Sequence, residues 1–243
     1  MKALIFAAGL GTRLKPITDN LPKALVPING KPLLEHTILK LKSAGFNEII
    51  VNVHHFPDQV IDFLESKSNF GIHIEISDER DNLLDTGGGI KKTAWFFNDG
   101  KPFLVHNVDI LSNVNLKELY AFHCKQADAL STLVVNKRET FRYLLFNENN
   151  HLCGWINEKT GETKPSKEVN PLNYNKLAYA GIQVISPSIF EIMKKYEEKF
   201  PIMDFYLQNC QIQKIVGYIP ENLKMIDVGK LNALEEAERF LMR

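Results

Sequence analysis

Two cations beside a glycine turn, and two aspartates at the ends of apolar runs, are the residues of this chain whose types suit chemistry. The first group is Gly9-Leu10-Gly11-Thr12-Arg13, with Lys23 a short distance on. Glycines lack a Cβ, so backbone N–H groups there can approach a phosphate chain closely. Arg13 and Lys23 supply cationic donors to the same anion. The stretch looks like a cradle for a triphosphate, although a tight strand-to-helix connection would use the same glycines. The second group is Asp109, after the run Phe103-Leu104-Val105-His106, and Asp227, after Met225-Ile226. An aspartate in such a place is also an ordinary turn former or helix cap. A third feature is Leu84-Asp85-Thr86-Gly87-Gly88-Gly89, running into a predicted helix over 90–97. Three glycines before a helix let the backbone lie flat against a ligand, with the helix N-terminus favouring an anion. A flexible loop would look the same.

The elements that must position these residues follow from the apolar pattern. Ala3 to Ala8 has the look of a buried parallel strand, which puts the glycine turn at its C-terminal edge. In open α/β sheets that edge is where ligands bind. Leu34, Ile38 and Leu41 recur at helical spacing until Gly45, Glu48–Val53 is a second strand, and Pro57 opens a helix with Val60, Ile61 and Leu64. A strand at 72–76 and the strand 103–106 continue the alternation, which predicts a Rossmann-like, doubly wound α/β fold. Its sheet is mixed and mostly parallel, flanked by helices, in a single domain. Asn107 and Asp109 then end a central strand at the ligand edge. Asn115 caps a helix, Ala129–Val135 is another strand, and 143–146 with 152–156 is a β-hairpin. Glu158–Tyr174 is expected as an exposed excursion. Tyr179–Ile185 is a returning strand in which Gly181 marks close approach of another backbone or a ligand. A helix runs from Pro187 through Tyr196, a short one covers 203–209 with Asp204 near its start, and a last one carries Leu231, Leu234 and Leu241 at core spacing. His54 and His55 are adjacent on an extended chain, so they point to opposite faces; at most one is expected to face the cleft, and a structural role is expected.

Composition excludes several classes. The chain has 243 residues, with 29 basic and 29 acidic residues giving a formal net charge of zero. No Lys/Arg block suggests a nucleic-acid surface. Cys124, Cys153 and Cys210 are widely spaced and form no C-x-x-C pair, so they are expected as reduced thiols in a cytoplasmic protein. The N-terminal apolar run is too short for a signal peptide, and no segment approaches a membrane span. Homo-oligomerisation is left open.

A dinucleotide fingerprint fails, because Leu14 stands where a third glycine belongs, and a P-loop fails for want of G-K-[ST]. What remains is G-x-G-T-R-L-x-P at 9–16, P-K-x-L-x-P at 22–27 and G-K-P at 30–32. This compound pattern resembles the sugar-1-phosphate nucleotidyltransferases. The resemblance implies that Ala8, Gly9, Gly11, Thr12, Arg13 and Lys23 hold the NTP triphosphate, with Arg13 and Lys23 as the catalytic cations. The D-T-G-G-G stretch is similar to that of N-acetylmuramate-1-phosphate uridylyltransferases, which implies that Thr86, Gly87 and Gly88 approach base and sugar. Asp109 matches the family's strand-end aspartate, with Asn107 and Val108 before it. Met225-Ile226-Asp227-Val228-Gly229 is similar to the family's W-x-D-x-G, so the implied Mg²⁺ ligands are Asp109 and Asp227. Glu158-Lys159 matches the start of the family's E-K-P motif, and Lys159, Asn107 and Gly181 are the implied sugar-side residues. Residues 1–135 are expected to serve the nucleotide and 136–243 the sugar phosphate. The family resemblance spans nearly the whole chain, and the β-helix or acyltransferase module that some relatives append is not expected.

The implied reaction joins an NTP, UTP by preference, to a sugar 1-phosphate, N-acetylmuramate 1-phosphate by preference. The preference for a uridylyl enzyme leans on Ala7-Ala8 before Gly9 and on the acidic-Thr-Gly-Gly-Gly stretch. Guanylyl transfer to mannose or heptose 1-phosphate is the alternative, and choline-phosphate cytidylyl transfer a third. A non-catalytic sugar-nucleotide sensor of the same fold is the reading from a different class.

Overall fold

A computed structural model describes residues 1–165 and 169–242. The chain opens with the strand β1 (Lys2–Phe6), whose burial is nearly complete because it lies mid-sheet. A small ribbon, β2 (Pro27–Ile28) with β3 (Lys31–Pro32), leads into α1 (Leu33–Ser43). Then come β4 (Glu48–Val53), α2 (Pro57–Ser66) and β5 (His73–Asp78). The next helix, α3 (Asp85–Lys92), precedes β6 (Phe103–Asn107) and the short β7 (Ile110–Ser112). After α4 (Leu116–Lys125) come β8 (Ala129–Asn136), the hairpin β9 (Arg142–Phe146) and β10 (Leu152–Asn157), and β11 (Glu162–Lys164). The long β12 (Asn175–Ile185) is followed by α5 (Ile189–Met193), α6 (Ile202–Asn209), β13 (Lys214–Tyr218), β14 (Met225–Asp227) and α7 (Leu234–Leu241).

The sheet is the expected mixed, mostly parallel one. β6, β1, β4 and β5 lie side by side and parallel. Winding runs outward from β1 through β4 to β5, then returns to place β6 on the other side of β1. The C-terminal end of β1 is therefore the switch point, where two neighbouring crossovers leave in opposite directions and open a crevice. β12 enters antiparallel between β6 and β8, so β8 points the same way as β6, and β13 adds parallel to β8. Successive side chains alternate between faces. Ala3 and Ile5 join one core with Leu34, Ile38 and Leu41 of α1, while Leu4 joins the other with Val105 and Phe103. Asn115 caps α4 as expected, its Oδ1 accepting from the N–H groups of Lys117 and Glu118.

Several expectations are corrected. β1 stops at Phe6, so Ala7 and Ala8 already belong to the turn. The helix expected at 90–97 starts at Asp85, and its first turns contain all three glycines. The helix after Pro187 is confined to Ile189–Met193. Leu231 is 42% exposed and lies in a 3-10 turn before α7, so it is not a core position. The excursion at 158–174 contains β11 and a 3-10 turn at Pro171–Asn173, and its part at 166–168 lies outside the described residues.

Two buried histidines give the fold a pH dependence. Burial pushes His106 down to about 3, with Lys40 nearby adding to the effect, and pushes His123 down to about 4. His123 pairs with Thr132 Oγ1 at 2.8 Å and Ser186 Oγ at 3.0 Å. In the unfolded chain both imidazoles titrate near 6.5. Below that pH the unfolded state binds protons that the native state refuses, so stability falls as pH drops from about 6.5 towards 4. Urea midpoints at pH 7 and pH 4.5 should show the fall, and His123→Gln should flatten it. Parallel slopes for variant and wild type would exclude His123 as a source.

Candidate active site

The glycine turn emerges from β1 at the switch point. Gly11 has φ +65°, and a Cβ there would lie 2.8 Å from Thr18 Cγ2 and 3.2 Å from Lys23 Cβ. Both the left-handed backbone and the tight packing therefore require glycine. Thr18 Oγ1 donates to the Gly11 carbonyl at 2.8 Å, fastening the turn from below. Lys23 crosses this turn; its Cδ stands 3.9 Å from where a Cβ on Gly9 would be. Its ammonium reaches the carboxylate of Asp109, forming a half-buried ion pair.

The two aspartates are brought together by a ribbon that sequence patterns did not reveal. β14 pairs antiparallel with β7, placing Asp227 opposite Ile110, next in sequence to Asp109. The Val228 N–H donates to the Asp109 carbonyl at 2.8 Å, closing the end of the ribbon. Arg13 joins from the glycine turn. Arg13 Nη2 and Asp227 Oδ1 lie 2.8 and 2.7 Å from where a Cβ on Gly229 would stand, so Gly229 leaves room for both. Four charged side chains from three separate stretches of the chain thus meet at one edge of the sheet.

A cleft of about 410 Å³ opens beside them, lined by Ala8, Gly9, Lys23, Thr86, Asn107 and Asp109. Gly11, Thr12, Arg13 and Asp227 flank it without lining it. Gly87 and Gly88 do not face it as the sequence suggested. Their N–H groups both donate to the Phe200 carbonyl, at 2.8 and 3.2 Å. A Cβ on Gly87 would meet the Phe200 ring at 2.3 Å, and one on Gly88 the Glu198 carbonyl oxygen at 2.0 Å. These glycines let α3 pack against the segment before α6, and the close approach is made by protein rather than ligand. Thr86 Oγ1 fastens the same contact by accepting from the Ile202 N–H at 2.9 Å. Gly181, at φ +75°, sits at a register break in β12, where a Cβ would meet Ile110 at 2.8 Å and the Asn107 amide at 3.1 Å. It seats Asn107 and β7. Lys159 lies on the exposed turn after β10 and does not line the cleft. Asp204 pairs with Lys164 at 2.9 Å, and Glu158 with Lys176 at 2.8 Å. His54 pairs through Nδ1 with the Glu79 carbonyl at 2.7 Å, and His55 packs on Phe56, both structural as expected.

Three cleft residues were missed. Asn52 Oδ1 accepts from the N–H groups of Ala7 and Ala8, at 2.7 and 3.3 Å. Its Nδ2 donates to Glu79 Oε1 at 2.9 Å, and Glu79 Oε2 accepts from the Leu84 N–H at 3.1 Å. Both side chains are buried, so this chain of hydrogen bonds joins the glycine turn on one wall to the start of α3 on the other. The signal was a polar residue at the ligand-edge end of an apolar strand, Asn52 in Glu48–Val53, and an acid directly after the next strand. Lys199 also lines the cleft, from the segment that grips α3; within a run of charged residues it gave no signal.

The carboxylate pair suits a hard divalent cation. Its donors are all oxygens, an ammonium already sits on Asp109, and two carboxylates leave positions for water and phosphate. Among the described residues no group of three or more His, Cys, Asp or Glu side chains forms a closed metal cage. Among the described residues no helix is long and apolar enough to cross a membrane.

A glycine turn at the switch point, beside paired carboxylates and cations, defines an α/β protein built to handle phosphates. The chain belongs to the nucleotidyl transferase family, whose sequence model matches residues 2–243. It is 42% identical over 242 residues to the N-acetylmuramate alpha-1-phosphate uridylyltransferase of Neisseria meningitidis, covering 98% of this chain and 97% of that protein. It is 31% identical over 193 residues to mannose-1-phosphate guanylyltransferase 1 of Arabidopsis thaliana, covering 79% of this chain but 51% of that one, so it spans about half of that relative's length. Its fold matches that of HddC from Yersinia pseudotuberculosis complexed with GMP-PN, with a TM-score of 0.78 at 21% identity, covering 99% of both chains.

Proposed function

We infer that this protein transfers a uridylyl group from UTP to N-acetylmuramate 1-phosphate, releasing pyrophosphate. The observation that carries nucleotidyl transfer is the convergence of Arg13, Lys23, Asp109 and Asp227 at the switch point. The choice of substrates rests on the 42% identity, across nearly both whole chains, to the Neisseria enzyme.

An oxygen of the sugar 1-phosphate attacks the α-phosphorus of the NTP in line, the bond to the β-bridging oxygen breaks, and pyrophosphate leaves. The nucleophile is already anionic, so neither a protein nucleophile nor a strong base is needed. What the protein must supply is alignment and positive charge for two phosphates that repel each other. Backbone N–H groups of the turn from Gly9 through Gly11 and Thr12 face the triphosphate, with Ala8 lining the cleft beside them. Arg13 stabilises the departing pyrophosphate, and Lys23 holds phosphate oxygens at the reacting centre. Lys199 adds a cation from the opposite wall. Asp109 and Asp227 are the residues that would hold Mg²⁺, which when bound neutralises phosphate charge. Thr86 and Asn107 face base and sugar, while Gly87, Gly88 and Gly181 serve by packing the walls. Residues 1–135 form the nucleotide side and 136–243 the sugar-phosphate side.

Pyrophosphate release over a grid of NTPs and sugar 1-phosphates, with Mg²⁺ and with EDTA, tests this. Turnover confined to UTP with N-acetylmuramate 1-phosphate and abolished by EDTA is expected. Turnover of GTP with mannose 1-phosphate would overturn the substrates but keep the mechanism. Tight UDP-sugar binding without release for any pair would identify a sensor instead.

A further inference from the structure

A second cavity, of about 480 Å³, opens between β14, α7 and the residues following β8. Its walls carry Arg138, Lys224 and Arg239, from three separate stretches, against the one carboxylate of Glu236. Among the described residues, no hydrogen bond or ion pair engages the side chains of Lys224, Glu236 or Arg239. Arg138 Nη2 donates only to the Tyr179 carbonyl, at 3.2 Å. In a chain whose 29 basic and 29 acidic residues balance, three cations converging on one cavity with a single acid are a local excess. Asn136 lines the cavity too, with its Nδ2 3.4 Å from Met225 Sδ.

The place of this cavity says what it can hold. β8 points the same way as β6, so Asn136 ends its strand at the same sheet edge where Asn107 ends β6. Met225 and Asp227 are two residues apart on β14 and share a face, which separates them by about 7 Å. The cavity therefore begins roughly one sugar ring from the Asp227 carboxylate. We propose that it recognises an acidic substituent on the sugar, a carboxylate carried on the ring away from the anomeric phosphate. Arg138 and Arg239 are its ion-pairing partners. Guanidinium groups suit a carboxylate because their paired N–H donors match its two oxygens. Three cations less one acid leave a net charge of plus two, which a single carboxylate suits better than a second triphosphate. This inference rests on the reading of the chain as a sugar-1-phosphate transferase and names the feature by which it selects its sugar.

Two substrates decide it, because N-acetylmuramate 1-phosphate and N-acetylglucosamine 1-phosphate differ only in the acidic ether. Wild type should show the lower KM for the acidic sugar. Arg138→Gln and Arg239→Gln should each raise that KM roughly tenfold, leaving kcat, the KM for UTP and the KM for the neutral sugar unchanged. Arg239→Lys should restore part of the loss. Equal KM values of the wild type for the two sugars, or variants that weaken both sugars alike, would overturn the proposal. Calorimetric titration of the same two sugar phosphates reads the cavity without turnover. Binding that depends on the carboxylate and on Arg239, in a protein silent with every NTP, would sink the transferase reading and keep the cavity. Binding indifferent to the carboxylate would sink the cavity whatever the activity.

Discussion

Replacing Asp109 by alanine is expected to lower the rate of pyrophosphate release by about 10³-fold, with little change in melting temperature. Two effects combine. The variant loses one of the two carboxylates proposed to hold the metal, and it frees Lys23 from the partner that now fixes its ammonium at the cleft. Asp109→Asn separates them, since the amide keeps the shape and an oxygen acceptor but loses the charge. If charge on Asp109 is what matters, the asparagine variant falls nearly as far as the alanine one. Recovery of most activity in Asp109→Asn would shift the role of Asp109 from holding a cation to holding Lys23. The ion pair is not a large contributor to folding, because freeing a cation at the edge of a cleft leaves it within reach of water. A collapse in melting temperature equal to the loss of activity would remove the catalytic interpretation altogether.

Gly88→Ala is expected to be the most damaging single-methyl change in the fold. The added Cβ would stand 2.0 Å from the Glu198 carbonyl oxygen and 2.9 Å from Leu84 Cβ, neither of which is a flexible chain end. α3 must move away from the segment that also carries Phe200 and Lys199, stretching the Gly87 and Gly88 hydrogen bonds to the Phe200 carbonyl. Overpacking of this kind costs about 3 kcal/mol. For a chain of this length that is a fall of roughly 6–12 °C in melting temperature. Gly100→Ala is the control. Gly100, unlike Gly88, has a positive φ, +71°, but nothing lies within 4 Å of its Cβ position, so only backbone strain of about 1 kcal/mol is expected. Calorimetric scans of the two variants settle the point. Equal melting temperatures for Gly88→Ala and Gly100→Ala would show that α3 is free to shift, and would remove the packing role assigned to these glycines.

The sequence by itself determined the alternation of strands and helices, and with it the doubly wound sheet, because apolar periodicity is a local property that each element must satisfy to be buried. It also brought the glycine turn and its two cations together. Gly11, Thr12, Arg13 and Lys23 lie close along the chain, so their spacing alone limits how far apart they can fold. Asp109 and Asp227 could be named from sequence as strand-end carboxylates, but their meeting depends on the pairing of β7 with β14, two three-residue strands too short to leave a pattern. The glycines of α3 show the limit most clearly. Three consecutive glycines announce a close approach, yet whether ligand or protein makes that approach depends on where residues 196–202 pack, more than a hundred positions away. Only the tertiary structure decided that it is protein, with Phe200 and Glu198 filling the space. The same holds for Asn52 and Glu79. A hydrogen bond between two buried side chains 27 residues apart has no periodicity to betray it, because it answers to the geometry of the sheet edge and not to the local chain.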